Sequence, residues 1–476
     1  MGQVPRELTP LDSALHFFGA QLRHWRTVRE LSQAALGRQT HDSGALICKI
    51  EKGERFPSHA LTRRLDVVLD TGGALERLLP QVEHERATRT APRHTTAHDR
   101  PDPGDLGLQW PTTPHATVET VVELWRTDVD RRSVLASVAW VAAAFTEPTR
   151  EWLRNHTDEA VHGRSGRPVG QHDVDALWAM CSAFTDADHR LGGGYTRCTL
   201  LHYLDHAVLP LLHGAYDNTI GRDLMAATAR LCDLCAFMSF DSGRQGLAQR
   251  YFIQALRLAQ TSGNRALGAH ILADMSMQAH HLGDASQALD LASAGLSTGL
   301  DCGSPSTVAR CAALQGLAHA LGGDHRASAQ ACTAAERALD QAIPADEPDW
   351  IQFFTAEQLT AEMLYMAADL GRYHDVQRLA PTVLACSSSM ERRRVLCTTT
   401  LARSYLPAQH NPCSDIDRAC DLLGQAIPFL SSLNSTRSLE GVNSLRRALA
   451  PHTERSSVRE LEDRFQSTLA AVCPSR

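Results

Sequence analysis

Residues 31–58 read LSQAALGRQTHDSGALICKIEKGERFPS and predict two short helices joined by a tight polar turn. Ser32 and Ser43 each stand where a hydroxyl group can accept a hydrogen bond from the first turn of a helix. Gly53 can end the second helix, and Pro57 prevents its continuation. Two short helices joined in this way form a helix-turn-helix arrangement.

An apolar pattern upstream of this segment predicts a further helix at about residues 11–29, whose side chains can meet those of the two short helices in one core. Through residue 90 the chain has 13 Lys and Arg against 11 Asp and Glu, so this head carries +2 and the remainder −9. The asymmetry is weak, but its sign suits a head that meets DNA. The predicted core residues are Leu15, Phe18, Leu22, Trp25, Leu36, Leu46, Ile47 and Ile50.

The segment resembles the helix-turn-helix of the Cro/C1-type (Xre) family, whose pattern runs L-S-Q-x-x-L-A…G-x-S-x-x-x-I-S-x-I-E-x-G-x-x-x-P. It departs from that pattern at Gly37, His41 and Cys48, where the family usually has Ala, Gly and often Ser. The family's glycine at this position often has a positive φ, a conformation that histidine tolerates better than most residues. Asp42 either weakens phosphate binding or caps the second helix. The chain matches the pattern at Leu31, Ser32, Gln33, Leu36, Ser43, Ile47, Ile50, Glu51, Gly53 and Pro57.

The resemblance implies DNA-contacting roles for nine residues. Some side chains would contact phosphates, and the second helix would present three positions to base edges in the major groove. The resemblance also implies a buried ion pair between Arg26 and Glu51. The implied phosphate contacts are Ser32, Gln33, Arg38, Ser43, Lys52 and Arg55, and the implied base-facing positions are Gly44, Ala45 and Lys49.

The composition excludes several classes of protein. Of 476 residues, 43% are hydrophobic, which excludes a wholly disordered chain, and the net charge of −7 excludes a uniformly basic nucleic-acid coat protein. Since no apolar run reaches the roughly 18 residues that cross a bilayer and no signal peptide is recognisable, we expect a cytoplasmic protein without a membrane partner. The 13 cysteines, an odd number, are expected to be reduced thiols.

A proline-rich stretch divides the chain. Residues 87–117 contain five prolines among many Thr, His and Asp residues, a composition typical of a linker. This stretch separates a head, residues 1–86, from a body, residues 118–476. Apolar residues at three- and four-residue steps predict that the body is helical, so we expect an all-α protein.

Short glycine turns recur in the body at intervals near 40 residues. Gly243, Gly283 and Gly322 are 40 and 39 residues apart, and Gly371 follows 49 residues later. This periodicity resembles tetratricopeptide repeats with a longer period and predicts a solenoid of helix pairs, with a plain Ala-rich helical bundle as the alternative. Small residues, or valines after the last glycine, stand five and twelve positions beyond each turn, at Ala248, Ala255, Ala288, Gly295, Ala327, Ala334, Val376 and Val383.

No catalytic, metal or cofactor site is expected. Gly192–Gly194 lacks the Lys and the Ser or Thr of a phosphate loop. Cys232 and Cys235 form a CxxC without a second pair and are expected to be buried thiols. His202 and His206 share a helix face but lack the glutamate of an HExxH motif, so a zinc enzyme that uses them is the least favoured hypothesis.

We therefore expect a sequence-specific DNA-binding transcription regulator, a repressor by resemblance, that acts as a homodimer on an inverted-repeat operator and binds a peptide, small-molecule or protein effector. An Xre head on a tetratricopeptide-like body is similar to peptide-sensing quorum regulators and to actinobacterial regulators of development and secondary metabolism. The alternative is a protein-interaction scaffold with a secondary DNA-binding head. By resemblance, an effector groove would be lined by parts of residues 223–240, 265–282, 305–321 and 355–370, with Arg230, Gln278 and Arg310 as candidate contacts.

Overall fold

The computed structural model describes residues 14–79, 82, 105–130, 139–154, 161–164, 166–387, 390–407 and 414–472. The chain divides between Arg100 and Pro101 into two compact units, a head and a body. In the described ranges both units are built from helices, which confirms the all-α prediction. The body also contains a two-residue antiparallel ladder between Gly163–Arg164 (β1) and Ala215–Tyr216 (β2), beside an isolated parallel bridge from Pro168 to Ala215.

In the described part of the head, four helices and a 3-10 turn surround one apolar core. Six of the eight predicted core residues are buried there, while Trp25 and Leu46 pack against the core from partly exposed positions. The fourth helix closes the core, and its Asp66 accepts hydrogen bonds from the amides of Leu75 and Glu76, at 3.0 and 2.9 Å, which hold the 3-10 turn. The elements are α1 (Ala14–Val28), α2 (Gln33–Gln39), α3 (Gly44–Glu51), α4 (His59–Leu69) and the 3-10 turn Glu76–Leu78.

The body begins earlier in the chain than the composition predicts. Gln254 donates hydrogen bonds from Nε2 to the carbonyl groups of Gly107 and Gln109, at 2.9 and 2.8 Å, and Leu106 is buried in the body core. A helix starts at Pro114, since proline suits the first position of a helix as well as it suits a linker. The last part of the predicted linker therefore belongs to the body, and the rest of it, residues 87–104, lies outside the described residues.

The body consists of helices joined mostly by short turns. Among the described residues, no helix is long and apolar enough to cross a membrane. The helices are α5 (Pro114–Asp130), α6 (Thr146–Leu153), α7 (Gln171–Leu191), α8 (Gly193–Tyr203), α9 (Leu209–Leu212), α10 (Asn218–Asp241), α11 (Gln245–Ser262), α12 (Arg265–His281), α13 (Ala285–Gly299), α14 (Pro305–Leu321), α15 (His325–Leu339), α16 (Ala356–Asp369), α17 (Tyr373–Ala385), α18 (Glu391–Arg403), α19 (Ile416–Ala426), α20 (Thr436–Leu449) and α21 (Ser456–Val472). Short 3-10 or π turns cover Ala142–Phe145, Leu204–Val208, Asp349–Ile351, Ile427–Ser431 and Ala450–His452.

From α10 onward, consecutive helices form hairpin pairs. Helix α10 packs on α11, α12 on α13, α14 on α15, α16 on α17, and α18 on α19. The first helices of neighbouring pairs also pack against one another, as α12 does on α14 and α14 on α16. The pairs therefore stack, and their first helices share one side of the stack.

A left-handed glycine ends the first helix of four successive pairs. Gly243, Gly283, Gly323 and Gly371 have φ values of 76°, 81°, 76° and 66°, which only glycine adopts at no steric cost. In each turn the residue after the glycine donates its amide to the carbonyl group five residues back, as in a Schellman motif. Gly322 is helical, with φ of −76°, so the third turn is centred one residue later than the sequence analysis placed it. The intervals are then 40, 40 and 48 residues.

The corrected turn changes which residues are equivalent between pairs. Five and twelve residues after Gly323 stand Ser328 and Ala335, which are both buried, whereas the predicted Ala327 and Ala334 are not. From the sequence, either Gly322 or Gly323 could make the third turn, because only the backbone conformation shows which of the two is left-handed. In all four pairs these two positions are buried, at Ala248, Ala255, Ala288, Gly295, Ser328, Ala335, Val376 and Val383.

Candidate nucleic-acid interface and body cavity

Two exposed serines begin the two helices of the helix-turn-helix. The hydroxyl group of Ser32 accepts a hydrogen bond from the amide of Ala35, and that of Ser43 accepts one from the amide of Leu46, each at 3.1 Å. Both predicted caps are therefore confirmed. The remaining free amides at each helix start, together with the exposed hydroxyl groups, are suited to an anion such as a phosphate.

The turn between these helices has the backbone that the resemblance implies. His41 has φ of +57°, in the left-handed region. Gly37 lies so close to the next helix that a Cβ atom there would stand 2.7 Å from the amide nitrogen of Gly44. The Asp42 carboxylate accepts a hydrogen bond from Nη2 of Arg64 at 2.7 Å. Asp42 is thus neutralised within the head, and the helix cap is Ser43.

A buried ion pair joins α1 to the end of α3, as the resemblance implies. The Glu51 side chain has no exposed surface, and its two carboxylate oxygens accept from Nε and Nη2 of Arg26, the second bond at 3.0 Å. Hydrogen bonding to Glu51 raises the pKa of Arg26. Gln33 also donates to Glu51, from Nε2 to Oε2 at 2.7 Å. One hydrogen of the Gln33 carboxamide is thus engaged within the head, and the phosphate contact of Gln33 stays a prediction.

The outer face of α3 is short and cationic. Ala45 and Lys49 are exposed one helical turn apart, and Lys52 follows at a half-buried position. At Gly44, which the resemblance places facing bases, a Cβ atom would lie 2.8 Å from the Cα atom of Ala34 in α2. The role of Gly44 in this structure is to let the two helices approach. The candidate interface comprises Ser32, Arg38, Ser43, Ala45, Lys49, Lys52 and Arg55, all at exposed positions except the half-buried Lys52.

Comparison with known proteins agrees with this geometry. Residues 18–79 match the family model described as a helix-turn-helix domain. The match covers the four helices of the head from within α1 onward and none of the body. No curated protein and no solved structure matches the chain. The head is therefore a helix-turn-helix domain, and what the body does has to be argued from its own residues.

The first helices of the stacked pairs line a cavity of about 580 Å³ in the body. All four segments that the sequence analysis expected to line a groove contribute to it. Arg230 and Arg310 are among the lining residues, but Gln278 is not. Gln278 is buried and donates from Nε2 to the carbonyl group of Gln245 at 2.8 Å, so it joins neighbouring helix pairs.

A buried network of charges borders the cavity. Nη1 of Arg310 donates to Nδ1 of His270 at 2.7 Å, and Nη2 donates to Asp274 at 2.5 Å. On the other side of the imidazole, Nη1 of Arg230 lies 3.1 Å from Nε2 of His270 and 2.5 Å from Asp233. Burial, and next the charge of Arg310, lower the pKa of His270 well below its usual value. The imidazole is therefore neutral, and the two arginines balance the two aspartates.

The residues of this network lie far apart in the sequence but occupy equivalent positions in successive helix pairs, which explains why they are in contact. Arg230, His270 and Arg310 stand 40 residues apart, each 13 residues before a left-handed glycine, and Gln358 occupies the same position in the fourth pair. All four line the cavity. The sequence analysis named the two arginines but missed His270 and Gln358. The 40-residue period was the signal that could have found them.

Donor atoms of Asp233, His270 and Asp274 lie close enough together to hold a metal ion. In this structure the guanidinium groups of Arg230 and Arg310 already occupy those donors. They supply the positive charge that a metal ion would bring. The arrangement therefore fits a charge network better than a metal centre.

The structure also shows where the histidine pair, the CxxC cysteines and the glycine triplet lie. His202 and His206 stack with ring centroids 3.9 Å apart, beside a π turn, and are not part of the cavity lining.

Cys232 and Cys235 are fully buried, and burial raises the pKa of both thiols, so they remain unreactive. Gly193 lies against the backbone of α10, where a Cβ atom would be 2.6 Å from the Met238 carbonyl oxygen. This glycine serves helix packing.

Two cavity histidines make the stability of the body depend on pH. Burial, and next a neighbouring arginine, lower the pKa of His189 and of His281 to about 4. In the unfolded chain each would titrate near 6.5, so below that pH the unfolded state binds more protons. The stability that neutral histidines contribute is thus complete above about pH 6.5 and is lost as the pH falls through about 4.

We expect His189 alone to lower the free energy of unfolding of the body by roughly 3 kcal/mol between pH 7 and pH 4. Urea titrations at several pH values measure this change. Since carboxylates also titrate in this range, the informative quantity is the difference between the native chain and His189→Gln, which should show the smaller loss. The exposed His325→Gln serves as control, and equal losses in all three proteins would contradict the assignment.

Proposed function

We propose that this protein is a sequence-specific DNA-binding transcription regulator, a repressor that binds an inverted-repeat operator as a homodimer. The observation that carries the proposal is the exposed face of α3, with Ala45 and Lys49 outward between two capped helix starts, in a head that matches a helix-turn-helix domain. A helix-turn-helix docks such a second helix in the major groove. Two heads on one operator would multiply the affinity of one small head.

In this proposal the body is a tetratricopeptide-type stack that carries the dimer contact and an effector site. The support is its series of helix pairs, the 40-residue period of its turns and the cavity lined by the first helices. Binding, without a catalysed reaction, is the proposed role. An effector would change the affinity of the protein for DNA by favouring one arrangement of the body.

Recovery of bound fragments from sheared genomic DNA of the source organism tests the proposal. We expect sharply enriched fragments that share an inverted repeat, and the affinity for them should fall steeply with salt. If folded protein recovers all fragments equally in the presence of cell extract, sequence-specific binding is refuted. Enrichment of single half-sites would refute the dimer alone.

Lys49→Ala separates base reading from phosphate binding. If Lys49 contacts a guanine, its loss should weaken binding to the enriched sequence by about 1–3 kcal/mol and leave non-specific DNA almost unaffected. Arg55→Ala should instead weaken both DNAs and reduce the slope of affinity against salt by about one. Fluorescence anisotropy at several salt concentrations measures both quantities.

Arg63→Ala is the matched control, because Arg63 is exposed but pairs with Glu76 and is not part of the candidate interface. It should leave both affinities unchanged. If Lys49→Ala weakened specific and non-specific binding equally, the base-facing assignment would be wrong while the DNA-binding function would stand.

A further inference from the structure

Among the described residues, Arg437 lacks the carboxylate partner that three other arginines of the cavity have. Arg437 lines the cavity and stacks over the Phe240 ring, with Cζ 4.2 Å from the centroid. Its Nε atom is buried and has no hydrogen-bond partner. In the described part of the chain, no carboxylate forms an ion pair with Arg437, whereas Arg230, Arg310 and Arg392 each pair with an aspartate. Arg437 as a whole is half-buried, and a guanidinium that is withdrawn from water without a counter-ion is costly.

Two carboxylates near Arg437, those of Asp241 and Glu362, are engaged elsewhere. Asp241 accepts from the Ser435 hydroxyl group at 2.8 Å with one oxygen, and from the Gly193 amide and Arg392 at 3.1 and 3.2 Å with the other. Glu362 accepts from Gln358 at 2.7 Å, and burial raises the pKa of its carboxyl group. These acids cannot turn to Arg437 without breaking other bonds.

The surroundings of Arg437 therefore leave its charge poorly compensated. Burial lowers the pKa of Arg437, and the attraction of Asp241 does not offset this effect. By contrast, the aspartates beside Arg310 and Arg392 raise the pKa of both of those arginines despite their burial. An anionic group in the cavity beside Arg437 would supply the missing counter-charge.

The other residues that line the cavity suit a compact apolar ligand better than the main chain of a peptide. An extended peptide needs free hydrogen-bonding groups along its length. Gln358 is the only carboxamide among the described lining residues, and its nitrogen donates to Glu362 while its oxygen accepts from Arg393. Apolar side chains border the same space, at Leu234, Phe237, Met277, Leu317, Leu321 and Leu396. The volume of about 580 Å³ suits a small molecule.

We propose that the cavity binds a small apolar molecule with a single carboxylate group, and that Arg437 receives the carboxylate. The apolar part packs among the leucine, phenylalanine and methionine side chains of α10, α12 and α14. This proposal rests on the proposed function in one respect, because it takes the bound molecule to be the effector of the regulator. Binding itself is measurable without DNA.

Isothermal titration of the full chain with octanoate and with 1-octanol tests the ligand class. The two probes share an apolar chain and differ in charge. We expect saturable binding of one octanoate per chain, and 1-octanol binding at least tenfold weaker. Arg437→Met keeps much of the apolar stem and should weaken octanoate binding at least tenfold without changing that of 1-octanol.

Arg394→Met is the matched control, because Arg394 stacks on Phe429 with Cζ 4.8 Å from the centroid and does not line the cavity. It should bind octanoate as the native chain does. Arg437→Lys keeps the charge, so it should retain the preference for octanoate over 1-octanol, and it serves if the methionine variant fails to fold. Equal affinity for the two probes, no saturable binding, or unchanged binding by Arg437→Met would each overturn the proposal.

The same samples separate this inference from the proposed function. If octanoate binds through Arg437 but leaves the affinity for operator DNA unchanged, the ligand class stands and the effector role of the cavity fails. If the protein binds no DNA specifically with or without octanoate, the regulator proposal fails while the binding result stands.

Discussion

Replacing Arg310 by methionine is expected to destabilise the body by about 3–5 kcal/mol, the cost of breaking a buried ion pair on one side. Arg310 is almost fully buried and donates to both His270 and Asp274. Without it, Asp274 remains buried as an unpaired charge, or takes up a proton at a similar cost in free energy. Methionine keeps the apolar stem, so little of the loss comes from packing.

Hydrogen exchange measured by mass spectrometry can follow this change locally, in peptides from α12 and α14, and urea titration gives the overall loss. Arg337→Met, at an exposed position of α15, is the control and should change stability by less than about 0.5 kcal/mol. Combining Arg310→Met with Asp274→Leu removes both charges and should recover a large part of the lost stability, because apolar replacements of buried pairs are often tolerated. A single variant as stable as the native chain would show that the network contributes nothing.

Glu51→Ala is expected to unfold or loosen the head and thereby abolish specific DNA binding. The change removes the acceptor of Arg26 and Gln33 and leaves their donors without partners at the junction of α1, α2 and α3. We expect a loss of about 3 kcal/mol, less than for a fully buried pair because Arg26 is partly exposed. A small head has little stability to spare.

Exchange of backbone amides in residues 33–51 and anisotropy with enriched DNA measure the two effects together. Glu54→Ala, which removes an exposed acid three residues further on, should preserve both. Retention of amide protection and of DNA affinity by Glu51→Ala would mean that the apolar core alone holds the three helices together.

Local features of the head could be predicted because each depends on residues close together in the chain. A serine before a helix caps it through its own first turn, as Ser32 and Ser43 do. The chain turns sharply between α2 and α3, and such a turn requires one residue in the left-handed conformation. His41 adopts it. The Arg26–Glu51 pair spans 25 residues, and it could be expected only because a recognisable pattern implied it.

Side-chain roles on the same helices could not be predicted in the same way. The sequence pattern assigned Gln33 and Gly44 to DNA and did not indicate that Gln33 also donates to Glu51 or that Gly44 lies against Ala34. Whether a polar group faces outward or inward depends on which partners the packed helices bring near it. The Asp42–Arg64 pair likewise required the position of α4, which the sequence analysis had not identified as a helix.

By itself, the sequence determined the helical class, the helix-turn-helix with its caps and turn, and the roughly 40-residue recurrence of turns in the body. These follow from patterns within one or two helices, where chain connectivity fixes the neighbours. Only the tertiary structure decided that Gly323 rather than Gly322 makes the third turn, where the body begins, and which arginines are paired. Arg437 and Arg392 look alike in the sequence, but among the described residues two aspartates from distant helices pair with Arg392 and none pairs with Arg437. Pairing in a cavity is decided by distance in space, which the order of residues does not contain.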